Sequence, residues 1–569
     1  MGLSGALFTG LSGMTTSAEW ITLTGNNIAN VNTAAFKSSR MGFETEISQL
    51  IRAGSAPSTT SGGRNPAQVG LGTRIGSVTR NFNTGSLQPT GVASDLAIQG
   101  DGFFVVDVSG SRRYTRDGHF SLDANYNLVN PAGGLVQGYG IDSDYSIVEG
   151  VLDDIRIPVG ILTIAEATSL VKFKGNLKAD GDLATQGSIN LSSALYTAGA
   201  VPALATDDLD TLEDVLGTSI CSVGDVLTVS GATKGDAILP DRTFEVGATN
   251  TTGSDANGTT LQDFMDFLDD VLGIDNTVGA GVPGVVVNGS GQIVVTGNDG
   301  TKNQNEIGTG TIRNTTTSTS PFSLWTTTQD ADGESIRTTF TAYDSLGTAM
   351  TLEMTIVAES RDSTGQTWRF YVQSADDSDV DRVIGNGTIT FDTDGNLLAV
   401  AGNRIYIDLD GTGATTPQQI DLAFTDPEGS ITAKTTEISQ IAEFNRDGTA
   451  YGVLEDYAVQ GDGVINGRFS NGESRDLGRI PLATFANNNG LVDEGGNIYN
   501  ISSNAGTPVI GTATTGGAGE IFGGTLELSN VELSAEFINL ISASTGFTAN
   551  SRVITTAERL IQELLASLR

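Results

Sequence analysis

Leu7, Met14, Ile21 and Ile28 recur at seven-residue intervals, with Leu3, Leu11 and Ala18 between them. The spacing predicts one apolar stripe along a helix of about 25 residues. Gly5, Gly10 and Gly13 weaken that helix in isolation, by about 1 kcal/mol each relative to Ala. It needs a partner. The far end of the chain carries the matching pattern in Leu533, Phe537, Leu540 and Phe547. The stripe resumes, displaced by one position near Asn550 and Ser551, at Ile554, Ala557, Ile561, Leu564 and Leu568. Such a slip alters the winding of a coiled coil without ending it. Roughly 40 residues without Pro predict one long helix, and Ser529 with Glu532 is expected to cap it. On periodicity alone the two stripes fit either an ordinary pair of core helices or surfaces that self-associate.

Between the ends the period changes to that of strands. Short or alternating apolar runs occur at Gly102–Asp107, Thr339–Tyr343, Met350–Val357, Thr367–Val372, Thr388–Phe391, Arg404–Ile407 and Ile480–Phe485. Turn signals such as Asp117-Gly118, Asp332-Gly333, Asp394-Gly395 and Asp410-Gly411 separate them, which predicts hairpins. Residues 195–325 are the least regular part, rich in Thr, Gly, Asp and Asn, with one amphipathic helix expected at Leu261–Leu272. No repeat of a solenoid type is evident.

Composition narrows the functional classes. The 569 residues carry a formal charge of −37, mostly from the interior, since residues 1–70 set Lys37, Arg40, Arg52 and Arg64 against Glu19, Glu44 and Glu46. So acidic a chain is repelled by nucleic-acid phosphates and anionic lipid, which argues against both as partners. Near-neutral ends suit association, and an acidic middle suits solvation. No apolar run is long enough for a membrane span. The first residues lack a basic segment followed by a continuous apolar one, so a cleaved secretion signal is not expected.

Enzyme chemistry has little to work with. One cysteine and one histidine exclude a Cys/His zinc site and an intrachain disulfide. Nucleophile elbows, HExxH and phosphate-binding glycine loops are missing, and no cofactor is expected. His119 lies in an Arg-Asp-Gly-His turn with no nucleophile placed to use it. Asp392–Asn396 and Asp408–Gly411 hint at calcium loops, but neither completes an EF-hand spacing, and hairpin turns fit better. Cys221 reads as a small buried apolar residue. The sharper alternative is an intersubunit cross-link, as a disulfide or a thioether-type bond to Lys172, Lys174 or Lys178.

The segment closing the first stripe, Asn26-Asn27-Ile28-Ala29-Asn30-Val31-Asn32-Thr33 followed by Ala34-Ala35-Phe36-Lys37, resembles the signature of the axial rod and hook proteins of the bacterial flagellum. Its motif positions here are Asn26, Asn27, Ala29, Asn30, Asn32, Thr33, Phe36 and Lys37, and many members carry Gly where this chain has Ala35. Asn and Thr compete with the helix for backbone groups, so the helix should end near Asn30. Further patches are similar to the same family: Gly85–Gly91, Asp95–Ile98, Gly100–Val106, Tyr114–Gly118, Tyr343–Gly347, Gly478–Gly490, Ser529–Ser534 and Val553–Thr556. Residues 195–325 have no counterpart in the resemblance.

The resemblance implies a mainly β, nested multidomain chain whose terminal α-helices pair as an inner coiled-coil domain. The expected domains are 1–70 with 528–569 for polymerisation, 71–170 with 440–527 as a discontinuous β domain, 171–194 with 326–439 as an outer β domain, and 195–325 as a variable surface domain. It implies a non-enzymatic hook-type subunit that polymerises with itself into a curved tube, a universal joint carrying torque from rod to filament. The stripe residues from Leu3 to Ile28 and from Leu533 to Leu568 would form the polymerisation interface. Implied partners are rod, hook-cap and hook–filament junction proteins and the flagellar type III export apparatus, with export to the flagellum without signal cleavage. A distal rod protein is the nearest alternative; Tyr343–Gly347 and the long interior favour the hook. A secreted acidic β-rich adhesin or calcium-binding surface protein is the alternative from another class, and it gives no reason for paired apolar helices.

Overall fold

The computed structural model describes residues 2–142, 145–277, 282–322, 324–426, 429–435 and 438–567. Among the described residues three α-helices stand between many strands: α1 (Gly2–Ala29), α2 (Leu261–Leu272) and α3 (Leu533–Ser567). The first apolar stripe becomes α1, which stops where Asn and Thr take over. Asn30 donates from Nδ2 to the Asn26 carbonyl at 2.9 Å, and Thr33 donates from Oγ1 to Asn30 Oδ1 at 3.1 Å. These side chains occupy groups that another helical turn would use. The chain then reverses through buried Ala35, whose φ of 55° is left-handed.

Contacts divide the chain into two units, residues up to Leu162 with those from Val453 onward, and Thr163–Gly452. In the first unit α1 leads into a two-stranded arm. Strand β1 (Ser39–Thr45) pairs antiparallel with β4 (Thr73–Arg80), and β2 (Ser48–Arg52) with β3 (Ala67–Gly70). Phe43, Ile47, Leu50, Ile51, Val69 and Val78 on this arm are exposed.

The next four strands take partners from the C-terminal part of the chain. Strand β5 (Leu87–Pro89) pairs with Thr525–Glu527 and β6 (Leu96–Gln99) with Glu520–Gly523. Strands β7 (Phe103–Val108) and β8 (Ser111–Thr115) form a hairpin that continues into Leu482–Thr484 and Ile498–Asn500. A β domain split between two distant segments results. Its core joins Phe103, Val105 and Tyr114 to Ala483 and Tyr499, with the Phe103 ring edge-on to Phe82, Phe485 and Tyr499 at 5.5–5.8 Å.

The second unit contains a five-stranded antiparallel meander, Ser335–Tyr343, Ala349–Asp362, Gly365–Ser374, Val383–Phe391 and Leu397–Ala401. Its apolar face packs with Leu170–Lys178, whose neighbours are Gln418–Ala423, Thr432–Lys434 and Gln440–Arg446. Residues 195–325 of this unit have their own core, including Leu227, Phe244, Phe264, Phe267 and Phe322. Helix α2 lies in that core. Thr260 and Asp263 cap it reciprocally, and Gly273 closes it with φ 59°.

One local expectation is corrected. Ser529 and Glu532 do not form a capping box: α3 begins at Leu533, and Ser529 Oγ accepts only at 3.4 Å, from the Val531 amide. The intervening Asn530 is engaged elsewhere. Its Oδ1 accepts the Ser38 amide at 2.8 Å, and its Nδ2 donates to the Asn81 and Asn83 carbonyls at 2.8 and 3.0 Å. That anchoring holds the segment extended until Leu533.

Candidate assembly interface

Helices α1 and α3 run antiparallel in a constant register. Gly10 faces Ile554, Gly13 faces Asn550 and Ser17 faces Gly546, while Asn27 Nδ2 donates to Glu536 Oε1 at 3.2 Å. Two of the glycines that weaken α1 in isolation, Gly10 and Gly13, are those that let α3 approach. A Cβ on Gly10 would stand 2.8 Å from Ile554 Cγ1 and 3.2 Å from the Asn550 carbonyl, and one on Gly13 2.6 Å from the Asn550 side-chain amide. Thr16, Thr24 and Asn27 of α1 and Ala543 and Ala557 of α3 are also buried. The seam is made of small and polar residues, which allow two helices to pack closely.

The predicted stripes lie largely outside this seam. On α1, Leu7, Met14, Ile21 and Ile28 are half-buried and Leu11 is exposed. On α3, Leu540, Ile554 and Ile561 are half-buried, while Leu533, Phe537, Phe547 and Leu564 are exposed. The Leu3 side chain and Leu568 lie outside the described residues. Other apolar residues share the exposed surface: Phe8 is 67% exposed and Ile541 65%, with Ile538, Leu560 and Leu565 similar. Beside them Trp20 of α1 meets Phe43 of the arm edge-on at 5.3 Å, and an apolar groove runs along Gly5, Thr9, Leu50, Ile51, Val69 and Val553.

The motif residues 26–37 lie where α1, the arm and the C-terminal segment meet. Buried Asn27 accepts the Ser39 amide at 3.0 Å and donates to the Ser39 carbonyl at 2.8 Å, tying the helix to β1. The Ala35 amide donates to the Glu527 carbonyl at 2.8 Å. Lys37 is sealed from solvent, 2.6 Å from Glu527 Oε1, and donates to the Asn83 carbonyl at 2.9 Å. The same carboxylate accepts the Gly85 amide at 2.7 Å and has Arg116 3.7 Å away on its other oxygen. Arg116 is buried too, donating to the Ile98 and Gly100 carbonyls at 3.3 and 2.6 Å. Burial pulls the Lys37 ammonium below the usual lysine range, and the neighbouring Glu527 charge opposes that pull. Asn26, Asn30 and Thr33 form the turn, Ala29 ends the helix, Asn32 is exposed, and Phe36 accepts the Asn530 amide on its carbonyl at 3.3 Å. Glu527, Arg116 and Asn530 were not among the predicted site residues. Arg116 sits in the polar run Tyr-Thr-Arg-Asp-Gly and Glu527 at the end of a short strand, so no local pattern signals them.

Three family profiles match in chain order. Residues 97–192 match the flagellar hook protein FlgE/F/G D1 domain, 314–450 the flagellar basal body protein FlaE D2 domain, and 523–568 the flagellar basal body rod FlgEFG protein C-terminal region. The flagellar hook protein FlgE of Treponema pallidum is 29% identical over 580 residues, covering 99% of both chains. That of Borreliella burgdorferi is 28% identical over 584 residues, covering 98% of both. The chain belongs to the flagellar hook protein family. The crystal structure of Helicobacter pylori flagellar hook protein FlgE2 aligns over 76% of this chain and 98% of its own, at 18% identity and a TM-score of 0.40.

As a hook-family member the chain is a structural, self-assembling subunit of the flagellum and not an enzyme. The hook proteins align over nearly its whole length, so neither the distal-rod nor the adhesin reading is favoured. Its chemistry-bearing side chains have structural surroundings. Exposed His119 donates its amide to Asp117 Oδ1 at 3.0 Å. Asp392 accepts the Asp394 and Asn396 amides at 2.9 and 2.8 Å within its turn, and these bonds hold its carboxyl below the usual range. Cys221 is buried in the core of residues 195–325 and donates to the Leu209 carbonyl at 3.1 Å. Burial pushes its thiol up to about 12, which leaves little thiolate for reaction at neutral pH. Among the described residues no helix is long and apolar enough to cross a membrane.

Proposed function

We propose that the outward apolar faces of α1 and α3, together with the arm, form the polymerisation surface of a curved hook tube. The observation that carries this reading is the row of exposed large residues on two helices already paired through their small faces: Phe8, Leu11, Phe537, Ile538, Ile541, Leu560, Leu564 and Leu565. A surface of that kind on a secreted structural subunit needs other copies to cover it. Burying each half-exposed residue contributes roughly 1 kcal/mol. Several per copy, repeated along a helical lattice, outweigh the repulsion between acidic subunits.

The stripe residues, with Leu3 and Leu568 at their ends, are the interface, and the motif Asn26–Lys37 fixes the turn between helix and arm. Residues 1–70 with 528–569 act as the assembling domain. The β domains at 71–170 with 440–527 and at 171–194 with 326–439 form the body, and 195–325 the variable addition. The tube is the universal joint between rod and filament; rod, cap and junction proteins are its neighbours, and the type III apparatus exports the uncleaved chain.

Phe537→Asp tests the interface. Phe537 is 50% exposed, so the variant should melt within about 0.5 kcal/mol of the parent as a free subunit yet form no tubes in electron micrographs. Wild-type tubes from this variant would refute the assignment. Deleting residues 1–30 should likewise end polymerisation while leaving the interior β structure folded.

A further inference from the structure

Four cations of this acidic chain gather inside the second unit. Lys234 and Arg382 are 1% and 4% exposed. Arg337 and Arg242 lie within electrostatic reach and oppose their charges. Lys234 belongs to the short strand Thr233–Lys234 of the 195–325 segment. Arg337 sits on Ser335–Tyr343, and Arg382 immediately precedes Val383–Phe391 in the five-stranded meander. The cluster therefore lies where the 195–325 segment meets the polar face of that sheet.

The bonds that these side chains make are few. Lys234 Nζ donates to the Gly273 carbonyl at the end of α2, an acceptor also used by Gln373 Nε2 at 2.8 Å. Arg337 donates from Nη2 to the Lys234 and Lys302 carbonyls at 2.7 and 2.9 Å. The remaining guanidinium groups are buried without a partner: Nε and Nη1 of Arg337, and Nε and Nη1 of Arg382. Three carboxylates are close enough to offset the charge, Glu353, Asp275 and Asp381, and Arg242 at the edge of the cluster is paired with Asp255 at 3.5 Å. Asp275 is already engaged by Asn386 Nδ2 at 2.6 Å and the Thr277 amide at 2.9 Å. Buried N–H groups of a charged side chain without an acceptor keep their full desolvation penalty, and natural proteins leave very few of them. Guanidinium forks match the oxygens of a tetrahedral anion two at a time.

We propose that Lys234, Arg337 and Arg382 form a binding site for a phosphate-class oxyanion that ties the 195–325 segment to the meander. The anion supplies acceptors for the four partnerless guanidinium nitrogens and offsets mutual repulsion of the cations. It thereby stiffens the junction between the inserted segment and the domain that carries it.

The test is calorimetric melting of the full chain in potassium phosphate against potassium chloride at equal ionic strength, with isothermal titration of inorganic phosphate. The melting temperature should climb with the logarithm of phosphate concentration. The rise should reach roughly 5–10 °C at about 100-fold over the dissociation constant. Sulfate should act alike and chloride not. Arg382→Gln and Arg337→Gln should each abolish the phosphate response. Arg404→Gln, at an exposed arginine paired with Asp421, should keep it. Equal melting in both salts with no heat of binding would overturn the proposal and assign water to these groups. An undiminished response in Arg382→Gln would overturn it by placing the anion elsewhere. If both arginine variants fail to fold, the phosphate titration of the parent chain still decides.

Discussion

Glu527→Gln is expected to destabilise the unit containing both termini by about 3–5 kcal/mol. The substitution keeps size and shape but removes the carboxylate facing Lys37 at 2.6 Å and Arg116 at 3.7 Å, all three being shut off from solvent. Two cations would then remain in a low-dielectric site without their nearest counter-charge, Arg116 keeping only the more distant Asp101, a loss much larger than that of an exposed ion pair. Hydrogen exchange of the Thr525–Glu527 amides is a suitable probe, because this strand pairs with β5 beside the cluster. The expected result is a loss of protection there and in α1, since the Ala35 amide rests on the Glu527 carbonyl. The second unit should be unaffected. Lys37→Met combined with Glu527→Met should recover part of the loss, because it removes one of the two buried cations along with the carboxylate, while Arg116 stays charged. A single Glu527→Gln variant with protection within about 1 kcal/mol of the parent would show that the cluster contributes little.

Gly10→Leu is expected to abolish tube formation while making α1 a better helix on its own. Leu has higher helix propensity than Gly, by roughly 0.5–1 kcal/mol, so a peptide of residues 1–30 should gain helicity. In the pair, however, its first side-chain carbon alone would fall 2.8 Å from Ile554 Cγ1 and 3.2 Å from the Asn550 carbonyl. The rest of the side chain has nowhere to go unless the helices separate. Overpacking of this kind costs about 1–3 kcal/mol, and separation also misplaces the outward faces that other copies must meet. Circular dichroism of the peptide and electron microscopy of the full chain measure the two halves of the prediction. Tubes of normal yield from Gly10→Leu would show that close approach of α1 and α3 is not required.

The elements with a strong period were legible from the chain alone. Stripes of long side chains predict α1 and α3, and the pattern LQDFMDFLDDVL predicts α2, whose limits Leu261 and Leu272 match the segment expected. The runs at 339–343, 350–357, 367–372 and 388–391 lie within four successive strands of one meander. The Asp344 turn in the Tyr343–Gly347 patch also has a plain reason: its buried carboxylate accepts the Leu346 and Thr348 amides at 2.8 and 2.7 Å. Less legible was anything decided between distant segments. Gly10 and Gly13 read as helix weakeners until α3 is placed against them. Glu527 looks like an ordinary strand residue until Lys37 and Arg116, hundreds of positions earlier, converge on it. The capping box failed for the same reason, since Asn530 is held by Ser38, Asn81 and Asn83, and local pattern carries no information about such partners.

The central claim is that the outward faces of α1 and α3 are open on a single subunit and covered in the tube. Phe537→Cys measures it directly, because the native Cys221 is buried, with its thiol pushed up to about 12, and so serves as an unreactive internal reference. Alkylation at position 537 should be fast on dilute subunits and slowed at least about tenfold in assembled tubes, with Cys221 unmodified in both. Equal alkylation rates at position 537 before and after assembly would contradict the account.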